Sequence, residues 1–234
     1  MGTAARKIFH FIAAVHFWYG CYYDWNYVII PANVHRMGQS FGFSGKLKFL
    51  TYWDAILQGL FFTICLLNDF IGTNENLPKR SPIIRRVQDK LLASLAFPLA
   101  MFVGLTFWGI YFVDRELILP KAIAPYFPEW LNHLMHTNIM IFILIEMFTS
   151  FRKYPSRRQG LGILAFVMLA YLIWLNVIHS YTGFWVYPVL EVLNLPMRIV
   201  FFASLFGFVV LMYVAGEKLN NSIWRNQFKV MKKS

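Results

Sequence analysis

Apolar residues in this chain come in long unbroken runs, not in the strict alternation of a half-buried strand or the three-to-four rhythm of a surface helix. Six stretches, 8–30, 47–71, 91–113, 131–150, 161–179 and 197–216, are predominantly apolar. Each has the ~20 residues that an α-helix needs to cross the hydrocarbon core. The pattern predicts an all-α, polytopic membrane protein: a bundle of six transmembrane helices forming a single transmembrane domain over residues 1–234. Proline and glycine punctuate the gaps at Pro78 to Pro82, Pro120 to Pro128, Pro155 to Gly160 and Pro188 to Pro196. Pro98, inside the third run, predicts a kink there. The loops are short and leave no room for a soluble catalytic domain, so any chemistry must lie in or beside the membrane.

Composition agrees with that pattern. Of 234 residues, 58% are hydrophobic and 14% charged, against about 25% charged in an ordinary soluble domain. The net charge of +11 raises the possibility of a nucleic-acid partner, but the placement of the charge excludes it. Threading six spans in order puts 16 of the 22 Lys and Arg residues on one side of the membrane, in the N-terminus, the second and fourth loops and the C-terminus. The other side receives Arg36, Lys46, Lys48, Arg115, Lys121 and Arg198. Positive charge marks the cytosolic side, so both termini are expected in the cytosol, with the basic clusters near anionic lipid heads. The plasma membrane and the endoplasmic reticulum or endomembrane both fit. The first run has no small-residue cleavage site and reads as a signal anchor. Cys21 and Cys65 lack metal-site or disulfide spacing and are expected as buried apolar residues. The sequon Asn220-Asn221-Ser222 falls on the cytosolic side and is expected to stay unmodified.

The polar residues inside the spans carry the chemistry, because an ionisable group near the bilayer centre costs at least ~2.5 kcal/mol. The second run opens Lys46-Leu47-Lys48-Phe49-Leu50-Thr51-Tyr52-Trp53-Asp54, and the fourth opens Trp130-Leu131-Asn132-His133-Leu134-Met135-His136-Thr137. Both enter from the non-cytosolic face. At 1.5 Å rise per residue, Thr51 and His136 lie at one depth, roughly 6–8 Å below it. A hydroxyl and a base are the minimum for nucleophilic acyl transfer. Asp54, Asn132 or His133 could orient the base, and spacing does not choose among them. The plainer alternative is a threonine bonded to its own helix and a histidine in the polar interface. Elsewhere, His16 is expected to be a hydrogen-bonded packing residue, His179 an interfacial group, and Glu146 an ion pair or cap near Arg152 and Lys153. Trp130, Trp185 and Tyr187 suit an interfacial aromatic belt.

Several ordered motifs carry a family resemblance: Lys48-Phe49-Leu50-Thr51, Leu95-Ala96-Phe97-Pro98, Asp114-Arg115-Glu116 with Pro120-Lys121, Asn132-His133-Leu134-Met135-His136, Tyr154-Pro155-Ser156, Thr182-Gly183-Phe184-Trp185-Val186-Tyr187-Pro188 and Gly216-Glu217-Lys218-Leu219-Asn220. From about Lys48 to Trp224 the chain resembles the androgen-induced gene 1 protein family, which also takes in the androgen-dependent tissue factor pathway inhibitor regulating protein. The resemblance implies a six-span membrane hydrolase acting on fatty acid esters of hydroxy fatty acids, with no cofactor or metal. Its threonine nucleophile would be Thr51 and its histidine base His136. Two other readings stand beside it. One is a haem or metal oxidoreductase ligated through His133, His136 and His179. The other is a non-catalytic membrane regulatory protein. A transporter would call for polar or broken helices at the midplane, which the runs do not suggest.

Overall fold

A computed structural model describes residues 2–31, 45–76, 78 and 80–231, the side chains of the last two excepted. Arg36, Lys79, Lys232 and Lys233, which the charge comparison counts, lie outside the described residues. Among those described the chain is all-helical. Five helices are long and apolar enough to cross a membrane: α2 (Leu50–Ile71), α3 (Ile83–Val113), α4 (Glu129–Thr149), α5 (Arg157–Thr182) and α6 (Leu195–Ile223). Ahead of them runs α1 (Thr3–Tyr27), 25 residues long. That length also spans a bilayer, but two histidines, several tyrosines and Asp24 make α1 less apolar than the other five.

Local chemistry sets several boundaries. Ser156 accepts a hydrogen bond from the Gln159 N–H at the start of α5, which ends at Gly183 in the left-handed conformation with φ 74°. Asn194 caps α6 through the Met197 N–H, with Pro196 in the first turn. α3 and α4 each contain one widened π turn, Leu92–Ala96 and Leu134–Asn138. The first lies directly before Pro98, which has no N–H to continue regular pairing. Pro98 therefore follows a widened turn within one continuous helix.

α1 lies along α2, with Phe17 stacked on Phe62 and the Trp18 indole donating to the Thr63 hydroxyl at 3.0 Å. The shared core is aliphatic and aromatic, built around Phe17, Phe61, Phe62, Leu92, Leu131, Ile139 and Ile143, all with at most 1% exposure. Large apolar side chains also point outward, among them Phe112, Phe166, Ile173 and Val200, which suits a lipid surround. Cys21 and Cys65 are buried free thiols, as expected.

α3 begins eight residues before the apolar run that announced it. Its first turns carry Arg85, Gln88 and Asp89, which a hydropathy pattern assigns to a loop. Here they face inward: Arg85 pairs with Asp89 at 3.0 Å and also donates to the Phe151 carbonyl. Glu146, fully buried, pairs with Arg152 as anticipated, and also meets His10 Nε2 at 2.9 Å. His10 Nδ1 reaches Asp69 at 2.6 Å, and Arg6 closes the chain at 3.2 Å. Asn220, the sequon residue, is buried and donates to the Arg152 carbonyl at 3.0 Å. Paired charges thus join α1, α2, α3 and α4 at one end of the bundle, and the Asn220 amide ties α6 to the same end. Arg85 and Arg152 belong to this interior network, not to a lipid-facing cluster.

Candidate active site

Thr51 stands in the first turn of α2. Phe49, at the N-cap position, has an extended backbone and supplies no side-chain cap. The Leu50 N–H instead donates to two phenol oxygens, Tyr171 at 3.0 Å and Tyr187 at 3.1 Å. Tyr171 in turn donates to the Lys48 carbonyl at 2.9 Å. The indoles of Trp53 and Trp174 both donate to the Leu47 carbonyl, at 2.7 and 3.0 Å. The start of α2 is therefore pinned by tertiary partners, which fixes the direction of the Thr51 side chain. The Thr51 N–H has no hydrogen-bond partner among the described residues.

His136 lies in the π turn of α4, and the structure brings it to Thr51: Oγ1 and Nε2 are 3.3 Å apart. Its other nitrogen, Nδ1, lies 2.9 Å from the Asn132 carbonyl. A carbonyl oxygen can only accept, so Nδ1 carries the proton and Nε2 offers a lone pair to the Thr51 hydroxyl. The imidazole is therefore in the tautomer that a general base requires. Phe107 of α3 stacks on it at 3.5 Å between centroids, 14° from parallel. Behind the turn, α3 approaches at Gly104, where an added Cβ would lie 2.6 Å from the His136 carbonyl oxygen.

The three side chains that could have oriented the base do not do so. Asp54 is buried and accepts from the Gln58 amide at 2.9 Å. His133 bonds Thr137 at 3.1 Å and stacks on Trp108. Asn132 acts through its backbone carbonyl, which no residue-type argument could have singled out. His179 stacks on Trp185 at 4.1 Å between centroids, and His16 bonds Asn138 at 3.0 Å while stacking on Phe142. His133, His136 and His179 therefore have three different sets of neighbours, which leaves the metal or haem reading without a common centre. Among the described residues the group with metal-type donors is His10, Cys65 and Glu146. Both His10 nitrogens are taken and Glu146 holds Arg152, so that donor set suits an ion-pair network better than a cation.

Thr51 and His136 line one cavity of about 200 Å³. Its walls are apolar: Phe102, Val103 and Phe107 from α3, Met168 and Leu172 from α5, and Phe201, Phe202 and Phe206 from α6. Phe206, on α6, is 37% exposed. Its polar margin includes Lys46 and Asp24, paired at 2.9 Å. Burial draws the Lys46 ammonium below its ordinary pKa, and the Asp24 carboxylate opposes that shift.

Sequence reasoning missed Tyr171, Phe107 and the orientation of Tyr187. The belt assignment is corrected for Tyr187, whose hydroxyl turns inward to the α2 start and to Tyr171 at 2.8 Å. The available signals were a tyrosine in the middle of an apolar run and the Thr182-to-Pro188 motif, which had no assigned role.

A family model described as FAR-17a/AIG1-like protein matches residues 5–221. The human androgen-induced gene 1 protein is 41% identical over 208 residues, 86% of this chain and 85% of that protein. The androgen-dependent TFPI-regulating protein of Mesocricetus auratus is 35% identical over 235 residues, 100% of this chain and 99% of that one. A membrane protein of Schizosaccharomyces pombe is 23% identical over 156 residues, 65% and 69% of the two chains. No solved structure matches.

Proposed function

The chain belongs to the FAR-17a/AIG1-like family, and on that premise we propose that it is a membrane-embedded threonine hydrolase cleaving the ester bond of fatty acid esters of hydroxy fatty acids. The observation that carries this reading is the 3.3 Å contact between Thr51 Oγ1 and a His136 whose Nδ1 is already committed to a carbonyl, at the wall of an apolar cavity.

In the reaction, Thr51 Oγ attacks the ester carbonyl while its proton passes to His136 Nε2. The imidazolium keeps its Nδ1–H on Asn132, so the charge forms on a ring already oriented. The tetrahedral intermediate collapses, the bond to the hydroxy fatty acid breaks, and that alkoxide takes the Nε2 proton. A water, deprotonated by the same nitrogen, then attacks the acyl-threonine; the acyl–Oγ bond breaks, the fatty acid leaves, and Thr51 Oγ takes the proton back from His136 Nε2. The Thr51 N–H, which has no hydrogen-bond partner among the described residues, lies beside the nucleophile and can donate to the carbonyl oxygen as it becomes negative. The shallow position of the pair fits the need for water in the second step. An acyl chain moving from lipid into this cavity exchanges one apolar medium for another. Selection among substrates therefore falls to cavity shape and to the polar groups around the ester.

The same reading takes α1 as the sixth span, with both termini cytosolic and the pair near the non-cytosolic face of the plasma membrane or an endomembrane. Its test is ester hydrolysis by purified protein, with Thr51→Ala and His136→Ala prepared in parallel. Both variants, folded, are expected to lose more than about 10³-fold in kcat, since the nucleophile and base act as a unit. Folded variants that cleave like wild type would make the pair structural and sink the assignment, whereas wild type that does not cleave would leave the non-catalytic regulator in its place.

A further inference from the structure

A hydrolase of this kind needs a side chain that holds the carbonyl oxygen once it becomes negative. Asn132 and His133, which neighbour His136 in the chain, do not line the cavity. Tyr187 does, beside Leu50, Thr51 and His136, with its ring edge-on to Phe49.

Counting protons around the α2 start isolates one that is free to move. Tyr171 gives its hydroxyl proton to the Lys48 carbonyl at 2.9 Å. The Leu50 N–H is shared between the two phenol oxygens, at 3.0 and 3.1 Å. The 2.8 Å contact between the phenols must therefore use the Tyr187 proton. Of the three protons, this is the one not bound up with backbone, and it swings about a single C–O bond. When it turns away, the Tyr171 oxygen still accepts from Leu50, so no group is left without a partner.

We propose that the Tyr187 hydroxyl is the side-chain donor of the oxyanion hole for the tetrahedral intermediate formed on Thr51. This rests on the hydrolase reading above. As Thr51 Oγ bonds to the carbonyl carbon and its proton goes to His136 Nε2, the carbonyl π pair moves onto oxygen. That oxygen accepts the Tyr187 O–H, and it returns the pair when the bond to the hydroxy fatty acid breaks. The Tyr187 proton is shared with the oxygen and never transferred. Burial raises the Tyr187 phenol above its ordinary pKa, which keeps it a donor. The Leu50 N–H that points at its oxygen holds the ring in place without using that proton. The inward turn of Tyr187 also supplies a role for the Thr182-to-Pro188 motif, which delivers this hydroxyl to the start of α2.

The test compares wild type, Tyr187→Phe and Thr51→Ala on a fatty acid ester of a hydroxy fatty acid, with binding of the uncleavable ether analogue measured alongside. The expected result is a fall in kcat of about 10²–10³-fold in Tyr187→Phe, the range for one lost oxyanion donor. KM and ether affinity should stay within a few-fold, because the ether develops no oxyanion. Unchanged kcat in Tyr187→Phe beside an inactive Thr51→Ala overturns this inference and spares the hydrolase reading. A loss appearing in KM and ether affinity instead assigns Tyr187 a structural role and overturns it too. No turnover by wild type overturns both. If Tyr187→Phe does not fold, a difluorotyrosine at position 187 keeps the ring and its hydrogen bonds. Its lower phenol pKa should move the alkaline limb of the kcat profile to lower pH, and an unmoved limb refutes the role.

Discussion

At the scale of the residue, the site turns on which atom orients His136. A carboxylate three positions from Thr51 looked suited to that task, and the structure gives it to the Asn132 carbonyl. A backbone carbonyl fixes the tautomer as well as a carboxylate does but contributes less negative charge to the imidazolium. Asp54 bonds Gln58 in a separate buried pair. Asp54→Asn is therefore expected to leave kcat/KM within a few-fold of wild type. A true third member of a triad would cost about 10⁴-fold when made an amide, so steady-state kinetics on this one variant separates the two cases.

At the scale of the element, the decisive features are irregular. The π turn Leu134–Asn138 carries His136, and the tyrosine-capped first turn of α2 carries Thr51. Wide turns of this kind often mark functional positions in otherwise regular helices. The π turn is held from behind by the close approach of Gly104, where a methyl group would meet the His136 carbonyl oxygen at 2.6 Å and the Met140 side chain. Backbone does not yield as a flexible side chain does. Gly104→Ala is expected to cost about 1–3 kcal/mol of stability and to lower kcat at least about 10-fold by moving the base. Thermal unfolding and turnover of the purified variant check both.

At the scale of the whole molecule, the bundle has two polar regions with different work. The Thr51–His136 pair sits at one end beside an apolar cavity. The Glu146 network sits roughly 15 Å further along α4 and joins four helices through paired charges, with α6 held to it by the Asn220 amide. Breaking a buried pair by neutralising one partner commonly costs about 3–5 kcal/mol. Glu146→Gln is expected to lose stability on that scale in detergent unfolding while the folded fraction keeps its kcat, because Thr51 and His136 do not touch the network. A parallel loss of kcat would mean that the two regions are coupled.

The sequence by itself determined that this is a helical membrane protein. Lipid leaves every backbone polar group to be satisfied within its own helix, so long apolar runs have one structural outcome. It also placed Thr51 and His136 at matching positions near the starts of two apolar runs, and the motifs around both pointed to the family. Tertiary structure alone decided which helices are neighbours and how each is rotated. Those choices brought Oγ1 to Nε2, extended α3 by two turns of mutually paired charges, chose a carbonyl over three side chains, and turned Tyr187 from the interface to the site. The physical reason is that a polar group in a membrane helix needs a partner, while that partner's identity is fixed by packing between segments far apart in the chain.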